Sequence, residues 1–330
     1  MLFQRAPAAG ERSTTLALLL LIAALIAVAF APIFIRLSET ELGPNATVFN
    51  RLFLFALLFG VGRAVSQRLT GQGEPTALAA PSWRQGALLL GMGLVASASL
   101  VLWAISLAHT SVAKSMLLNN LTPIFTSLGG WLVLGQRFDS RFLAGMAIAL
   151  SGATALALED WEGGEGVLFG DACAFLSAVF LGIYFLLVEL LRDRFSATTI
   201  LLWRCAVGSV LLAPVVWLSE GQFFPTTLTA WLGALGLGLV SEGLGQRLLA
   251  DSMDRFSASF IAVFLLLEPA ISALLALLIF FEQPSPLAWV GFPVILSGVY
   301  LAKSSGATAS HAEQVSAAEA PEGEYQQASK

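Results

Sequence analysis

Charged residues are scarce in this chain. Only 12% of its 330 residues are Asp, Glu, Lys or Arg, whereas 57% are hydrophobic. Soluble domains carry about 25% charged residues, so the supply here is too small to cover a water-facing surface. Apolar runs such as TLALLLLIAALIAVAFAPIFI exceed the length of about 18 residues that indicates a membrane-spanning helix. The composition therefore predicts a polytopic membrane protein and excludes a large soluble domain.

Cysteine and histidine are also rare, with two residues of each. Cys173 and Cys205 lie in apolar runs without a CxxC or a neighbouring histidine, which favours neither a disulfide framework nor a metal site. No basic, aromatic-rich segment indicates nucleic-acid binding, and no Walker A sequence indicates direct use of ATP. We expect no cofactor, no metal and no nucleic-acid partner.

Apolar segments separated by charged or turn residues predict an all-α protein with ten transmembrane helices. The N-terminal segment 1–15 and the polar tail 304–330 lie outside them, and the tail is expected to be disordered. The predicted helices are 16–35, 45–65, 84–107, 112–134, 141–158, 167–191, 197–218, 229–249, 256–281 and 287–303.

The distribution of basic residues predicts how these helices are oriented. With the N-terminus placed in the cytoplasm, thirteen of the 17 Lys and Arg fall inside. Only Arg36 and Lys114 fall outside, and Arg51 and Arg204 lie within spans. Because cytoplasmic loops carry the excess of Lys and Arg, both termini are predicted to be cytoplasmic, in the inner (plasma) membrane of the cell.

The chain contains an internal repeat. A shift of 146 residues pairs Pro123 with Pro269 and aligns LSG at 150–152 with LSG at 296–298, and a shift of 153 pairs Arg51 with Arg204. The repeats are predicted at 16–158 and 167–303, with five helices each. Since five is odd, the second repeat is inverted relative to the first, as in secondary transporters whose substrate site lies between the repeats.

Several short motifs recur in both repeats at equivalent positions. They are an arginine early in the second helix, LTP or LEP in the fourth helix, LVLGQ or LIFFEQ at the end of that helix, and G-x6-G in the fifth helix. In these features the chain resembles the EamA-like branch of the drug/metabolite transporter superfamily. The resemblance implies export or exchange of amino acids, related metabolites or drugs. Gln136 departs from the family's usual glutamate, which Glu282 retains.

Four charged residues are predicted inside the membrane, where each costs about 3 kcal/mol. Glu242 and Glu268 have uncharged repeat counterparts, Ser97 and Thr122, so the shared scaffold does not require them. Both are candidate substrate-binding residues, and we expect at least one of them to bind the substrate or a coupling proton. For Arg51 and Arg204 we favour a structural or cavity-lining role, such as pairing with helix-end carbonyls.

The fourth helix of each repeat is predicted to be broken. Pro123 and Pro269 interrupt the backbone hydrogen bonds, which a spanning helix tolerates where protein or cavity water satisfies the freed groups. These prolines are predicted to line a central cavity. Polar or aromatic side chains nearby or deep in other spans are further candidates for substrate contact: Asn119, Asn120, Trp103 and Trp203.

Two other function classes compete with a carrier of small polar or amphipathic metabolites. An intramembrane enzyme is disfavoured because the sequence contains no GxSxG or HExxH and no paired His and Asp within spans. A receptor or assembly protein would not require an inverted repeat or deep carboxylates. The expected partners are a small-molecule substrate, the lipid bilayer and protons as a candidate coupling ion, with the protein a monomer or homodimer.

The predicted topology is testable by cysteine labelling. Cysteines introduced at Gly163 and Gly221 should react with an impermeant maleimide in intact cells, whereas one at Gly73 should react only after permeabilisation. The reverse pattern would overturn the orientation.

Overall fold

The computed structural model describes residues 14–70, 83–110, 112–159, 168–281, 283–284 and 286–306. Within these ranges the chain folds into helices that follow the ten predicted spans. The start of the predicted N-terminal segment and nearly all of the predicted tail lie outside the described residues.

The first five spans are built from seven helices. Their bounds are α1 (Thr14–Ala29) with α2 (Ala31–Ser38), α3 (Pro44–Thr70), α4 (Trp83–His109), α5 (Val112–Asn119) with α6 (Thr122–Leu134), and α7 (Ser140–Glu159).

The next five spans are built in the same order. Their bounds are α8 (Leu168–Arg192), α9 (Ala197–Ser219), α10 (Leu228–Gly236) with a π-helical stretch (Leu237–Gln246) and α11 (Arg247–Ser252), α12 (Ala258–Phe264) with a 3-10 turn (Leu265–Leu267) and α13 (Glu268–Phe280), and α14 (Pro286–Lys303).

Nine of these spans, counted over the described residues, are long and apolar enough to cross a bilayer. The remaining span is α7, which has 20 residues. Many large apolar side chains face outward, such as Val210, Leu218 and Leu278, which are 73%, 86% and 71% exposed. An apolar outer surface is what contact with lipid tails requires.

Helix contacts follow a two-fold pattern. The second span of the first repeat, α3, packs on its counterpart α9, and the fifth span, α7, packs on its counterpart α14. The third span α4 packs along α8, and the equivalent pair, the eighth span with α1, packs in the same way. The two five-helix repeats are therefore inverted and related by a pseudo-two-fold axis.

Glycines let the fifth helices of the two repeats cross closely. A Cβ atom on Gly145 would lie 2.6 Å from the carbonyl oxygen of Gly298, and a Cβ on Gly298 would lie 2.6 Å from that of Gly145. A Cβ on Gly152 would lie 3.1 Å from the carbonyl oxygen of Gly291. The G-x6-G motif of each repeat therefore serves to bring the backbones of α7 and α14 into contact.

The helix breaks predicted at the two prolines are present, but the carbonyl that each proline frees finds a different hydrogen-bond donor in each repeat. Because Pro123 has no N–H, the carbonyl of Asn119 loses its helical partner, and the Thr122 hydroxyl donates to it instead at 2.7 Å. In the second repeat Glu268 occupies the position of Thr122. There the carbonyl of Leu265 accepts a hydrogen bond from the backbone N–H of Glu268 in a 3-10 turn. The carboxylate of Glu268 takes no part in this hydrogen bond.

The eighth span contains a π-helical stretch over LGLVSEGLGQ. Its glycines allow two neighbouring spans to approach, since a Cβ on Gly245 would lie 2.7 Å from Val28 and one on Gly238 would lie 3.1 Å from Leu54. π-helical turns are rare and occur frequently at functional sites. This one carries Glu242.

The close crossing of α7 and α14 predicts a large difference between two glycine substitutions. Gly145→Ala would place its Cβ 2.4 Å from the Ala302 backbone nitrogen, whereas Gly91→Ala in α4 meets nothing within 4 Å. Both gain the same helix propensity, about 1 kcal/mol. We expect Gly145→Ala to lower the melting temperature in detergent and Gly91→Ala to leave it unchanged or raise it. Equal melting temperatures would contradict the crossing.

Candidate functional site

The two repeat-related arginines converge on one carboxylate. Glu242, on the π-helical stretch, is fully buried, with 0% of its side chain exposed. Arg51 of α3 donates from Nε to its Oε2 at 2.8 Å. Arg204 of α9 donates from Nη1 to its Oε1 at 2.5 Å. These three side chains, the Arg–Glu–Arg triad, join the second, seventh and eighth spans.

Small residues make this convergence possible. A Cβ on Gly208, one turn after Arg204, would lie 2.6 Å from Leu52, the residue after Arg51, so α9 and α3 approach closely beside the arginines. A Cβ on Gly238 would lie 3.5 Å from the carbonyl oxygen of Arg51, so the π-helical stretch also packs near α3. The expectation that the arginines pair with helix-end carbonyls is corrected here, because both pair with Glu242.

Two residues that the sequence analysis did not select complete the surroundings of Arg204. Its guanidinium lies over the ring of Tyr184 of α8, with Cζ 5.0 Å from the ring centroid, a cation–π contact. The thiol of Cys205 lies 3.5 Å from Oε1 of Glu242. The Nε of Arg204 is buried and has no hydrogen-bond partner among the described residues.

Glu242 was expected to bind substrate, and its geometry leaves little room for that role. Both carboxylate oxygens accept from arginine, and none of the side chain is exposed. A buried charge must be paired, since removing one member of a buried pair costs about 3–5 kcal/mol. We therefore reassign Glu242 from substrate binding to holding Arg51 and Arg204 together.

Glu268 lies in a different situation. It is the first residue of α13 and is half-buried. Among the described residues its carboxylate accepts no hydrogen bond and forms no ion pair within 4.0 Å, although the charge of Arg51 acts on it. Glu268 is therefore a carboxylate within a predicted span that has no hydrogen-bond or ion-pair partner among the described residues.

The remaining predicted site residues are half-buried and scattered around the break in the fourth span and on α4 and α9. Oδ1 of Asn119 and Nε1 of Trp103 are both buried without a hydrogen-bond partner among the described residues. Asn120 lies directly in the break, between α5 and α6. Trp203 packs against the larger apolar core. No hydrogen bond between described residues joins any of these four side chains to the triad.

Comparison with known proteins gives the family. The model of the EamA-like transporter family matches residues 15–158 and again residues 168–303. The chain belongs to this family.

Curated relatives of this EamA-like protein are transporters. A probable terminal-alkyne amino-acid exporter of Streptantibioticus cattleyicolor is 27% identical over 194 residues, 58% of this chain and 64% of the exporter. The pseudopaline exporter CntI of Pseudomonas aeruginosa is 28% identical over 54% of this chain and 62% of its own. A riboflavin transporter of Rhizobium johnstonii is 28% identical over 59% of this chain and 63% of its own. Each match spans less than two thirds of the relative's length.

A solved crystal structure with 19% sequence identity superposes with a TM-score of 0.74, over 88% of this chain and 98% of the other. This likeness shows the fold. The matching family model and the names of these relatives are those of transporters, and nine spans of the described residues are long and apolar enough to cross a membrane.

In this EamA-like chain, Gln136 has a role that the sequence did not indicate. Its Nε2 donates to Oε1 of Glu189 in α8 at 3.0 Å, and Oε2 of Glu189 accepts from the backbone N–H of Ala258 at the start of α12 at 2.8 Å. The buried carboxylate of Glu189 thus bridges the Gln136 amide and the start of the ninth span, which contains the break. Glu282, the residue at the equivalent position of the second repeat, lies outside the described residues.

Two loop carboxylates join the repeats at the face predicted to be external. Glu41 accepts hydrogen bonds from the hydroxyls and backbone N–H groups of Thr226 and Thr227. Glu220 accepts from two backbone N–H groups at the start of α3, at 2.8 and 2.9 Å. The hydroxyl of Thr226 and the backbone of Thr227 lower the pKa of Glu41 from its ordinary value of 4.5 to about 2. Glu41 therefore stays ionised at neutral pH, and together with Glu220 it forms an outer clamp between the repeats.

The contrast between the two glutamates predicts different effects of the same substitution. Glu242→Gln leaves two buried arginines without a counter-charge, and we expect a loss of about 3–5 kcal/mol of stability. Glu268→Gln breaks no pair and should change stability by less than about 1 kcal/mol. Thermal unfolding of both variants in one detergent measures the difference. A loss from Glu268→Gln as large as that from Glu242→Gln would refute the assignment.

Proposed function

We propose that the protein is a secondary carrier that exports or exchanges small polar or amphipathic metabolites by alternating access. The observation that carries the proposal is Glu268, a carboxylate at the break of the ninth span that has no partner among the described residues. Placing a charged side chain at this depth costs about 3 kcal/mol of free energy, so the carboxylate serves a purpose other than packing. A solute or a proton that visits the site in turn from each side supplies that purpose.

The break itself supports a transport role. Unwound backbone at membrane depth is tolerated where protein or a water-filled cavity satisfies it. Pro123 and Pro269 place such breaks in the fourth span of each repeat. Asn119 beside the first break and Trp103 on the neighbouring helix α4 each have a buried polar atom without a hydrogen-bond partner among the described residues. Broken helices at the interface of inverted repeats are where secondary transporters bind their substrates.

The relatives favour export of amino acids or compounds related to them. Two of the three relatives described above are named as exporters, one of an amino acid and one of pseudopaline. We propose the same direction of transport here. The arginine distribution further supports a location in the inner (plasma) membrane with both termini in the cytoplasm.

If transport is driven by protons, we assign coupling to Glu268 rather than Glu242. Glu242 is held by two arginines on both oxygens, so protonating it would break two ion pairs. Glu268 has no such partner to lose. Protonation of Glu268 would therefore disturb only its long-range interaction with Arg51.

Reconstituted protein tests the carrier function and the part of Glu268 in it. Proteoliposomes loaded with a panel of labelled amino acids and riboflavin should show saturable efflux and counter-exchange above protein-free vesicles, with and without a pH gradient. Glu268→Gln should abolish gradient-driven accumulation, and persistence of exchange would assign the coupling proton to Glu268. Absence of any solute flux from folded protein would contradict the proposed function.

A further inference from the structure

A groove of about 550 Å³ lies between α1, α3 and the eighth span. This volume falls within the range of ligand pockets, about 300–1,000 Å³. Large apolar side chains make up most of its wall: Leu16, Leu20, Phe59, Leu239, Leu244 and Leu248. Its two charged wall residues, Arg247 and Asp251, both belong to α11, at the predicted cytoplasmic end of the eighth span. The groove is therefore apolar along the span and charged at one end.

The groove is open along its length. Three leucines of its wall, Leu16, Leu239 and Leu244, are 43%, 40% and 51% exposed. On α1 the exposed apolar surface continues away from Leu16 at helical spacing, through Leu19, Ile22 and Ile26. A continuous apolar stripe on a spanning helix is suited to contact with lipid tails.

The length of the groove matches one leaflet of a bilayer. At about 1.5 Å per residue, the stretch of the eighth span from Leu239 to Asp251 covers at most about 18 Å. The hydrocarbon core of a bilayer is about 30 Å thick, so one leaflet contributes about 15 Å. Because the charged end is the predicted cytoplasmic end, the apolar part of the groove lies within the cytoplasmic leaflet.

The positive charge at the end of the groove has donors to spare. Nε of Arg247 lies 3.8 Å from Oδ2 of Asp251, which is longer than a hydrogen bond. Asp251 also contacts Arg192, at 3.2 Å, so it is not a counter-ion of Arg247 alone. Among the described residues the guanidinium of Arg247 forms no hydrogen bond, and the side chain is 47% exposed. A guanidinium with free donors is suited to two parallel hydrogen bonds with a phosphate.

We propose that this groove binds a phospholipid of the cytoplasmic leaflet, with one acyl chain along the apolar wall and the phosphodiester on Arg247. The apolar wall and the cation at its end match the two parts of such a lipid in kind and in order. The acyl chain packs against Gly243, the residue after Glu242, on the π-helical stretch that carries the triad.

Lipid binding by the purified protein tests the contact of the phosphodiester with Arg247. Native mass spectrometry of delipidated protein gives the affinity for phosphatidylglycerol and for a diacylglycerol with the same acyl chains but no phosphate. We expect the native protein to prefer phosphatidylglycerol by about tenfold or more, since the diacylglycerol loses a charge-assisted hydrogen bond.

One arginine variant should remove this preference and a matched one should keep it. Arg247→Gln should weaken the binding of phosphatidylglycerol about tenfold and leave that of the diacylglycerol unchanged. The variant should fold, because an exposed ion pair contributes little stability. Arg194→Gln is the control, since Arg194 is exposed on the same predicted face and does not line the groove.

Photocrosslinking tests where the acyl chain lies. Phosphatidylglycerol with a diazirine in one acyl chain should give adducts on α1, α3 or the eighth span. Leu244→Trp places a larger side chain in the groove and should abolish these adducts. Leu278→Trp is the matched control, since Leu278 is also an exposed apolar residue, outside the groove, and it should retain them.

Equal affinity for the two lipids, unchanged binding of phosphatidylglycerol by Arg247→Gln, or adducts confined to other helices would overturn the proposal. A protein dimer that Leu244→Trp dissociates and that excludes lipid would assign the groove to a second copy of the chain and overturn it as well. If Leu244→Trp does not fold, the effect of Arg247→Gln and the positions of the adducts decide the matter. None of these measurements requires transport.

Discussion

The structure depends on burying two positive charges beside a single negative one. Each repeat brings an arginine into the membrane, and Glu242 of the eighth span holds both, at 2.8 and 2.5 Å. Without it two like charges would lie together in the bilayer interior, where repulsion and desolvation add. The glycine contacts between α3, α9 and the π-helical stretch follow from the need to bring these three side chains together. The ion pairs thus link the repeats across the pseudo-two-fold axis.

The symmetry of the scaffold makes its exceptions informative. At the proline break of the first repeat, Thr122 repairs the backbone locally, whereas Glu268 at the equivalent place leaves its carboxylate unpaired. Ser97 likewise bonds within its own helix, to the carbonyl of Gly93, where the second repeat has Glu242. Both departures place a carboxylate in the second repeat. One completes the Arg–Glu–Arg triad, and the other has no partner among the described residues.

Much of the fold could be predicted from the sequence, but the partners in the site could not. The length of the apolar runs and the placement of charged residues predicted the spans. The matches of proline, glycine and arginine between the two halves of the chain predicted the inverted repeats. The sequence places Arg51 and Glu242 on separate helices and does not show that they pair. The π-helical stretch adds a residue to its turns and rotates the side chains that follow, which a regular helix pattern does not anticipate. The contacts of Tyr184 and of the outer clamp join segments that are distant in the sequence. Such contacts leave no periodic pattern from which they could be predicted.

The coupling between Arg204 and Glu242 tests the central role of the triad most directly. Thermal unfolding of Arg204→Met, Glu242→Gln and the double variant, in one detergent at neutral pH, forms a double-mutant cycle. The account predicts that the double variant loses less stability than the sum of the two single variants, by about 1–3 kcal/mol, because Arg204 has already lost its counter-charge in Glu242→Gln and its removal from that variant costs less. Additive losses would show that the two residues do not stabilise each other and would contradict the account.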